Sequence, residues 1–164
     1  MNRRQLMGAT ALTLAGTSLN SVAFAGTDED QTTASFNTVM AFMAAMGSGD
    51  VEKMKPLMDE NMVWHNEGDK SLPWIGPWQG QDEIFGFLGV FGRNFQTTKW
   101  ENTDAFASGD TVAVFGRMNG VTTASGKEIG EFTFALRAKV QDGKVVLWNW
   151  FEDSFAVSQA YRDR

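Results

Sequence analysis

Residues 97–151 read TTKWENTDAFASGDTVAVFGRMNGVTTASGKEIGEFTFALRAKVQDGKVVLWNWF. Apolar and polar side chains alternate through much of this run, as in Phe132-Thr133-Phe134 and Leu147-Trp148-Asn149-Trp150. A period of two belongs to a strand with one face buried. Turn signals at Ser108-Gly109-Asp110, Ser125-Gly126-Lys127 and Asp142-Gly143 cut the run into four strands. These span Thr97 to Ala107, Thr111 to Val121, Glu131 to Val140 and Lys144 to Phe151, an antiparallel meander.

Upstream the period changes. Phe36, Val39, Met40, Met43 and Met46 recur at helical spacing, predicting a helix from about Thr33 to Met46 that Gly47-Ser48-Gly49 stops. Asp50 reads as the N-cap of a shorter helix striped by Val51, Met54, Leu57 and Met58. Asn61 to His65 is a short strand, and Gly68 to Gly80 a loop rich in Gly, Pro and Trp. Asp82 is expected to cap a third helix carrying Ile84, Phe85, Phe87, Leu88 and Phe91, and Phe155 to Tyr161 forms a short closing helix. Helices segregated onto one face of an antiparallel sheet make an α+β domain.

The chain has 164 residues, enough for one ordinary domain. Hydrophobic residues at 43% and charged residues at 21% describe a globular composition. With no cysteine and one histidine, disulfides, thiolate metal sites, cysteine nucleophiles and multi-histidine metal centres are excluded. No metal-ligating residues are assigned, and with no nucleotide-binding loop in view no cofactor is expected. The net charge of −6 comes without a basic cluster in the body of the chain, which argues against nucleic acid and anionic membrane surfaces as partners.

The first 25 residues read as an export signal. Arg3-Arg4 opens it, Gly8 to Val22 is weakly apolar, and Ala23-Phe24-Ala25 is an A-x-A cleavage site. The paired arginines match the twin-arginine route, which places the mature protein in the periplasm with no membrane span after cleavage. Residues 26–32 are polar and acidic, a flexible lead-in to a domain over 33–161.

The local wording resembles the SnoaL-like branch of the nuclear transport factor 2-like superfamily, related to polyketide cyclases and ketosteroid isomerase. Gly49-Asp50-Val51, Asp59 to His65, Trp78 to Ile84, Gly109 to Val114 and Asp142-Gly143-Lys144-Val145 leading to Phe151-Glu152-Asp153 carry the resemblance, in order, from about Thr33 to Tyr161. It implies a cone: three N-terminal helices packed on a curved antiparallel sheet, a short closing helix, an apolar pocket inside, and a homodimer formed through the outer face of the sheet. It implies isomerase, cyclase, dehydratase or hydrolase chemistry without a cofactor, or a non-catalytic binding module.

Within that frame His65 falls where ketosteroid isomerase carries its general base, and histidine is a residue type suited to abstracting a proton or activating water. Strand alternation groups His65 with Val63 and sets Trp64 on the opposite face. The isomerase's oxyanion donors match Phe42 and a position near Leu136, and the cyclases' acid also falls near Leu136. Neither residue donates a hydrogen bond, so neither mechanism is copied here. Trp148, Trp150 and Glu152 share one face of the last strand, with Phe132, Phe134 and Leu136 on the neighbouring strand. These rings are expected either to wall a pocket for an apolar small molecule or simply to fill the interior, with Glu152 either a second acid/base group near the pocket mouth, paired with His65, or a solvated rim carboxylate. Trp74 and Trp78 offer either a lid or structural packing. Arg117 is expected on the outer sheet surface in ion pairs, the alternative being an epoxide-hydrolase arrangement with Asp104 or Glu101.

Overall fold

The computed structural model describes residues 22–24, 29–123 and 125–162. The leader expected over 1–25 therefore lies outside the described residues except for β1 (Val22–Phe24), whose backbone pairs parallel with residues 105–107.

Helix α1 spans Glu29–Ser48 and begins earlier than its apolar stripe suggests. Glu29 and Asp30 place negative charge at the positive end of the helix dipole. Thr32 and Ser35, polar but small, are buried, and the Thr32 hydroxyl accepts from the Gly109 amide at 2.9 Å. Residues 29–32 of the expected lead-in are therefore helix. Asp50 caps α2 (Val51–Met54) as expected, its carboxylate accepting from the Glu52 amide at 3.1 Å. A 3-10 turn over Lys55–Leu57, with Pro56 early in it, delivers the chain to β2 (Met58–Asn66).

The loop after β2 contains a short strand that was not expected, β3 (Gly76–Gln79), antiparallel to β2 with Trp78 opposite Trp64. Helix α3 (Gly80–Asn94) is not capped by Asp82. Gln79 is its N-cap residue, and the Glu83 carboxylate accepts the Gln79 amide at 2.9 Å while Asp82 lies in the first turn. The meander follows as β4 (Phe95–Ser108), β5 (Thr111–Thr122), β6 (Lys127–Gln141) and β7 (Lys144–Glu152), closed by α4 (Ser154–Arg162).

The strands form one curved sheet in the order β1-β4-β5-β6-β7-β2-β3. The meander is antiparallel as expected, but the whole sheet is mixed, because β1 joins β4 and β2 joins β7 in parallel. Its inner face carries Val112, Val114, Met118, Phe132, Phe134, Leu136, Trp148 and Trp150, all buried. Val39, Phe42 and Met43 of α1 and Ile84 and Phe87 of α3 cover them. The buried stripe of α1 is centred on Val39, Phe42 and Met43, while Phe36, Met40 and Met46 are only partly buried.

Gly116 and Gly120 let two rings lie flat against β5. A Cβ at Gly116 would come within 2.4 Å of Phe134 Cζ, and one at Gly120 within 2.1 Å of Phe95 Cζ. At the end of the chain Tyr161 packs edge-on against Trp74 at 5.4 Å. Arg162 pairs there with Asp69 and donates to the Ser71 hydroxyl at 2.9 Å. No described helix is long and apolar enough to cross a membrane.

Candidate functional site

The interior is a set of aromatic clusters joined by the sheet. Trp148 meets Phe42 edge-on at 4.9 Å and Trp64 at 5.3 Å. Trp64 continues to Phe87 at 5.2 Å, on which Trp78 stacks at 5.3 Å. Phe134 packs against two indoles, 4.4 Å from Trp100 and 4.6 Å from Trp150, which are themselves 5.6 Å apart. These are favourable offset and edge geometries, so the rings hold one another in place as well as burying area.

A tryptophan in such a place must also satisfy its N–H. Three do so through the residue two positions on, which a strand puts on the same face. Trp64 donates to Asn66 Oδ1 at 2.7 Å, Trp100 to Asn102 Oδ1 at 2.8 Å, and Trp150 to Glu152 Oε2 at 2.9 Å. Asn66 in turn donates to the Trp74 carbonyl at 2.7 Å, fastening the loop after β2 to the sheet. The indole nitrogens of Trp74, Trp78 and Trp148 are buried without a partner among the described residues. Each unmet buried donor costs about 1–3 kcal/mol.

Glu152 ends β7 with its side chain on the inner face, opposite Phe134. Burial among the rings pushes its pKa up from the ordinary carboxylate value, and the neighbouring Asp153 charge pushes the same way. The Trp150 hydrogen bond opposes both without cancelling them. The result is a half-buried carboxyl that holds its proton to higher pH than a free glutamate.

His65 is placed differently from the expectation. Trp64 carries far more apolar area and takes the inner face at 4% exposure. Alternation then turns His65 outward, where its side chain is 40% exposed and Nδ1 sits 3.3 Å from Glu67 Oε1. Val63 shares that outer face, half-buried. The expected meeting of His65 with Glu152 is not formed, because the two point to opposite faces of the sheet.

Phe42, Phe132, Phe134, Leu136, Trp148 and Trp150 all face inward as the sequence implied, but they are buried against one another in the core rather than ranged round an open pocket. Trp74 is packed rather than lid-like: it is 1% exposed and rests against Phe91, Phe95 and Tyr161. Trp78 is half-buried on Phe87. Trp100 was missed by the sequence reading, although its Trp-x-Asn spacing repeats that of Trp64 and parallels the Trp-x-Glu of Trp150. Arg117 lies on the outer face, 3.6 Å from Glu101 and 3.3 Å from Glu131, in a surface ion-pair ladder with Lys99.

Elsewhere, an open hollow of about 770 Å³ is lined by Asp59, Glu60, Asp82, Glu83 and Lys144 with Gln79, Gly80 and Gln81, separate from the rings. Among the described residues no cluster of His, Asp or Glu is arranged to hold a metal ion. The outer sheet face exposes Phe106, Phe115 and Phe151. The Phe106 and Phe115 rings lie 6.3 Å apart, and Ala135 stands between Phe115 and Phe151 in register.

Comparison with known proteins places this architecture. The family model for the SnoaL-like domain matches residues 39–148. A nuclear transport factor 2-like protein from Burkholderia xenovorans LB400 superposes with a TM-score of 0.73 at 23% identity, covering 80% of this chain and 98% of that one. One from Burkholderia thailandensis E264 gives 0.70 at 25% identity, covering 78% and 97%. TerC, crystallised with polyporic acid, gives 0.71 at 20% identity, covering 79% and 99%. No curated protein is significantly similar in sequence.

Proposed function

The chain belongs to the SnoaL-like family, and from that premise we propose that it takes an apolar, carbonyl- or epoxide-bearing small molecule into the aromatic interior of its cone and moves a proton on it with Glu152. The observation that carries this reading is the Glu152 carboxyl itself. It is turned inward, held by the Trp150 indole, and has its pKa raised by burial. In its ionised form it would take a proton alpha to a carbonyl; in its protonated form it would give one back. The rings of Trp100, Phe134 and Trp150 supply flat apolar contact beside it, and no cofactor enters the step. Buried methionines at 43, 62 and 118 are the flexible members of the lining, suited to admitting a ligand among packed rings.

His65 takes no part in this scheme, because its imidazole reaches the interior only through the sheet. A second reading, a non-catalytic carrier or docking module, draws support from Phe42 and Leu136. These stand where the related enzymes have hydrogen-bond donors, and both are fully packed. The two readings separate with α-tetralone as probe. Deuterium uptake at its alpha carbon in D₂O is expected to be accelerated by the wild-type protein. Glu152→Gln is expected to lose about a hundredfold or more of that acceleration, the lower end of general acid–base contributions. Equal rates in the two proteins overturn the catalytic reading and leave the carrier.

The remaining features fit an exported dimer. Arg3-Arg4 and Ala23-Phe24-Ala25 support twin-arginine export to the periplasm, tested by whether the mature N-terminus is Gly26. The exposed Phe106, Phe115 and Phe151 support pairing of two copies through the outer sheet face. Phe115→Asp would then give a monomer by light scattering, whereas an unchanged mass argues against that face.

A further inference from the structure

The Trp148 indole N–H differs from those of Trp64, Trp100 and Trp150, and shares with Trp74 and Trp78 a buried Nε1 without a partner among the described residues. Trp64, Trp100 and Trp150 each find an acceptor two residues on, but two residues after Trp148 comes Trp150, which offers none. Its cross-strand neighbours are Trp64 on β2 and Ala138 on β6, and Phe42 of α1 lies edge-on against it. None of these side chains can accept a conventional hydrogen bond. Trp148 is fully buried, and Nε1 has no partner among the described residues. A donor left unmet on the inner face of β7, beside the satisfied indoles of Trp64 and Trp150, marks where an acceptor from outside the chain would sit.

We propose that Trp148 Nε1–H is the polar contact that orients the ligand, accepting into the interior a neutral molecule that presents a carbonyl or ether oxygen. The inference rests on the small-molecule reading above and specifies its ligand class. Neutrality follows from the surroundings. Among the described residues the buried polar side chains are Thr32, Ser35, Asn66, Thr122, Asn149 and Ser158, with no cation to compensate a carboxylate or phosphate. The surroundings of the N–H are aromatic, with Phe42 edge-on to Trp148 and Trp64 inclined 38° to it. Trp148 and Glu152 lie four residues apart on one face of β7, about 13 Å along the strand. A ligand of several rings would therefore place one oxygen at Trp148 and its reacting carbon toward Glu152. The N–H is covered in the closed interior, so entry requires a neighbour to turn, and Met43 and Met62 in the same cluster are the side chains built to do so.

The test uses three compounds on one skeleton: fluorenone, fluorene and fluorene-9-carboxylate. Calorimetry on the wild-type protein is expected to show fluorenone binding at least tenfold more tightly than fluorene, and the carboxylate more weakly than either. In Trp148→Phe the ketone preference is expected to fall to about one. In protein labelled with ¹⁵N at the indoles, the Trp148 cross-peak is expected to move downfield with fluorenone and not with fluorene, a readout that needs no substitution. Failure of fluorenone to bind, a ketone preference that survives Trp148→Phe, or a carboxylate that binds best would each overturn the proposal. If fluorenone moves the Trp148 peak while the tetralone exchange shows no dependence on Glu152, the catalytic reading falls and this one stands.

Discussion

Replacing Gly116 by alanine is the smallest change that should disturb the candidate site without touching any of its functional groups. Gly116 faces inward on β5, paired with Phe134 on β6, and the phenyl ring lies across the glycine. An added Cβ would stand 2.4 Å and 2.6 Å from Phe134 Cζ and Cε1, and 2.3 Å from the Glu101 carbonyl oxygen. These contacts are all inside van der Waals distance, and two bodies have to give. The carbonyl belongs to the paired strand β4, and the ring is packed against both Trp100 and Trp150. Overpacking in a filled core costs about 1–3 kcal/mol, and the rigid carbonyl puts this case at about 3 kcal/mol. Urea unfolding followed by tryptophan fluorescence reads the loss, and near-UV circular dichroism reads the disturbed ring stack. In a Phe134→Leu background the same glycine substitution should cost about 1 kcal/mol less, since part of the clash is with the ring. A Gly116→Ala protein within about 0.5 kcal/mol of wild type, with an unchanged near-UV spectrum, would refute the ring-over-glycine reasoning.

Asn66→Ala removes the acceptor of the Trp64 indole and the donor to the Trp74 carbonyl together, leaving two buried groups unmet. A destabilisation of about 2–4 kcal/mol is expected by urea unfolding, from the cost of two orphaned partners. Glu152→Gln keeps an acceptor for Trp150 but removes the ionisation that burial opposes. Because the folded-state pKa is raised, the native state binds the proton more tightly than the unfolded chain, and wild type loses that advantage as pH rises from about 4.5 through the folded value. The variant should therefore match or exceed wild type in thermal stability at neutral pH and lose that edge below about pH 4.5. A variant less stable at neutral pH than at acid pH relative to wild type contradicts the sign. His65→Gln should change stability by less than about 0.5 kcal/mol, because the imidazole is exposed and its ion pair is a surface one. It should also leave tetralone exchange unaltered; a lost rate would restore the imidazole to the reaction.

Much of the architecture could be read from periodicity, because the meander is half-buried and alternation reports which face is which. Trp148, Trp150 and Glu152 were grouped correctly from spacing alone, as were Phe132, Phe134 and Leu136. Spacing does not say which of two faces is inside, and β2 shows the consequence. His65 with Val63 and Met62 with Trp64 are equally regular sets, and the larger apolar area of Trp64 decides the matter. Resemblance to an enzyme position drew attention to the imidazole, while the indole beside it took the core. The helix starts at Glu29 and Gly80 were hidden for another reason. Thr32 is held through its hydroxyl by an amide far away in sequence, and the amide of Gln79 is capped by the later Glu83. Local polarity read these residues as lead-in and loop. The Trp-x-Asn and Trp-x-Glu spacings at 64, 100 and 150 were visible throughout, and their meaning emerged only once both members were known to face inward.

The account turns on Glu152 being an inward carboxyl whose surroundings favour its protonated form. Carbon-13 NMR of side-chain-labelled glutamate, with the Glu152 resonance identified by its loss in Glu152→Gln, measures this directly. The account predicts titration clearly above the ordinary glutamate value of 4.5, rising further when fluorenone excludes water from the interior. Titration at or below that ordinary value, indifferent to fluorenone, would contradict it.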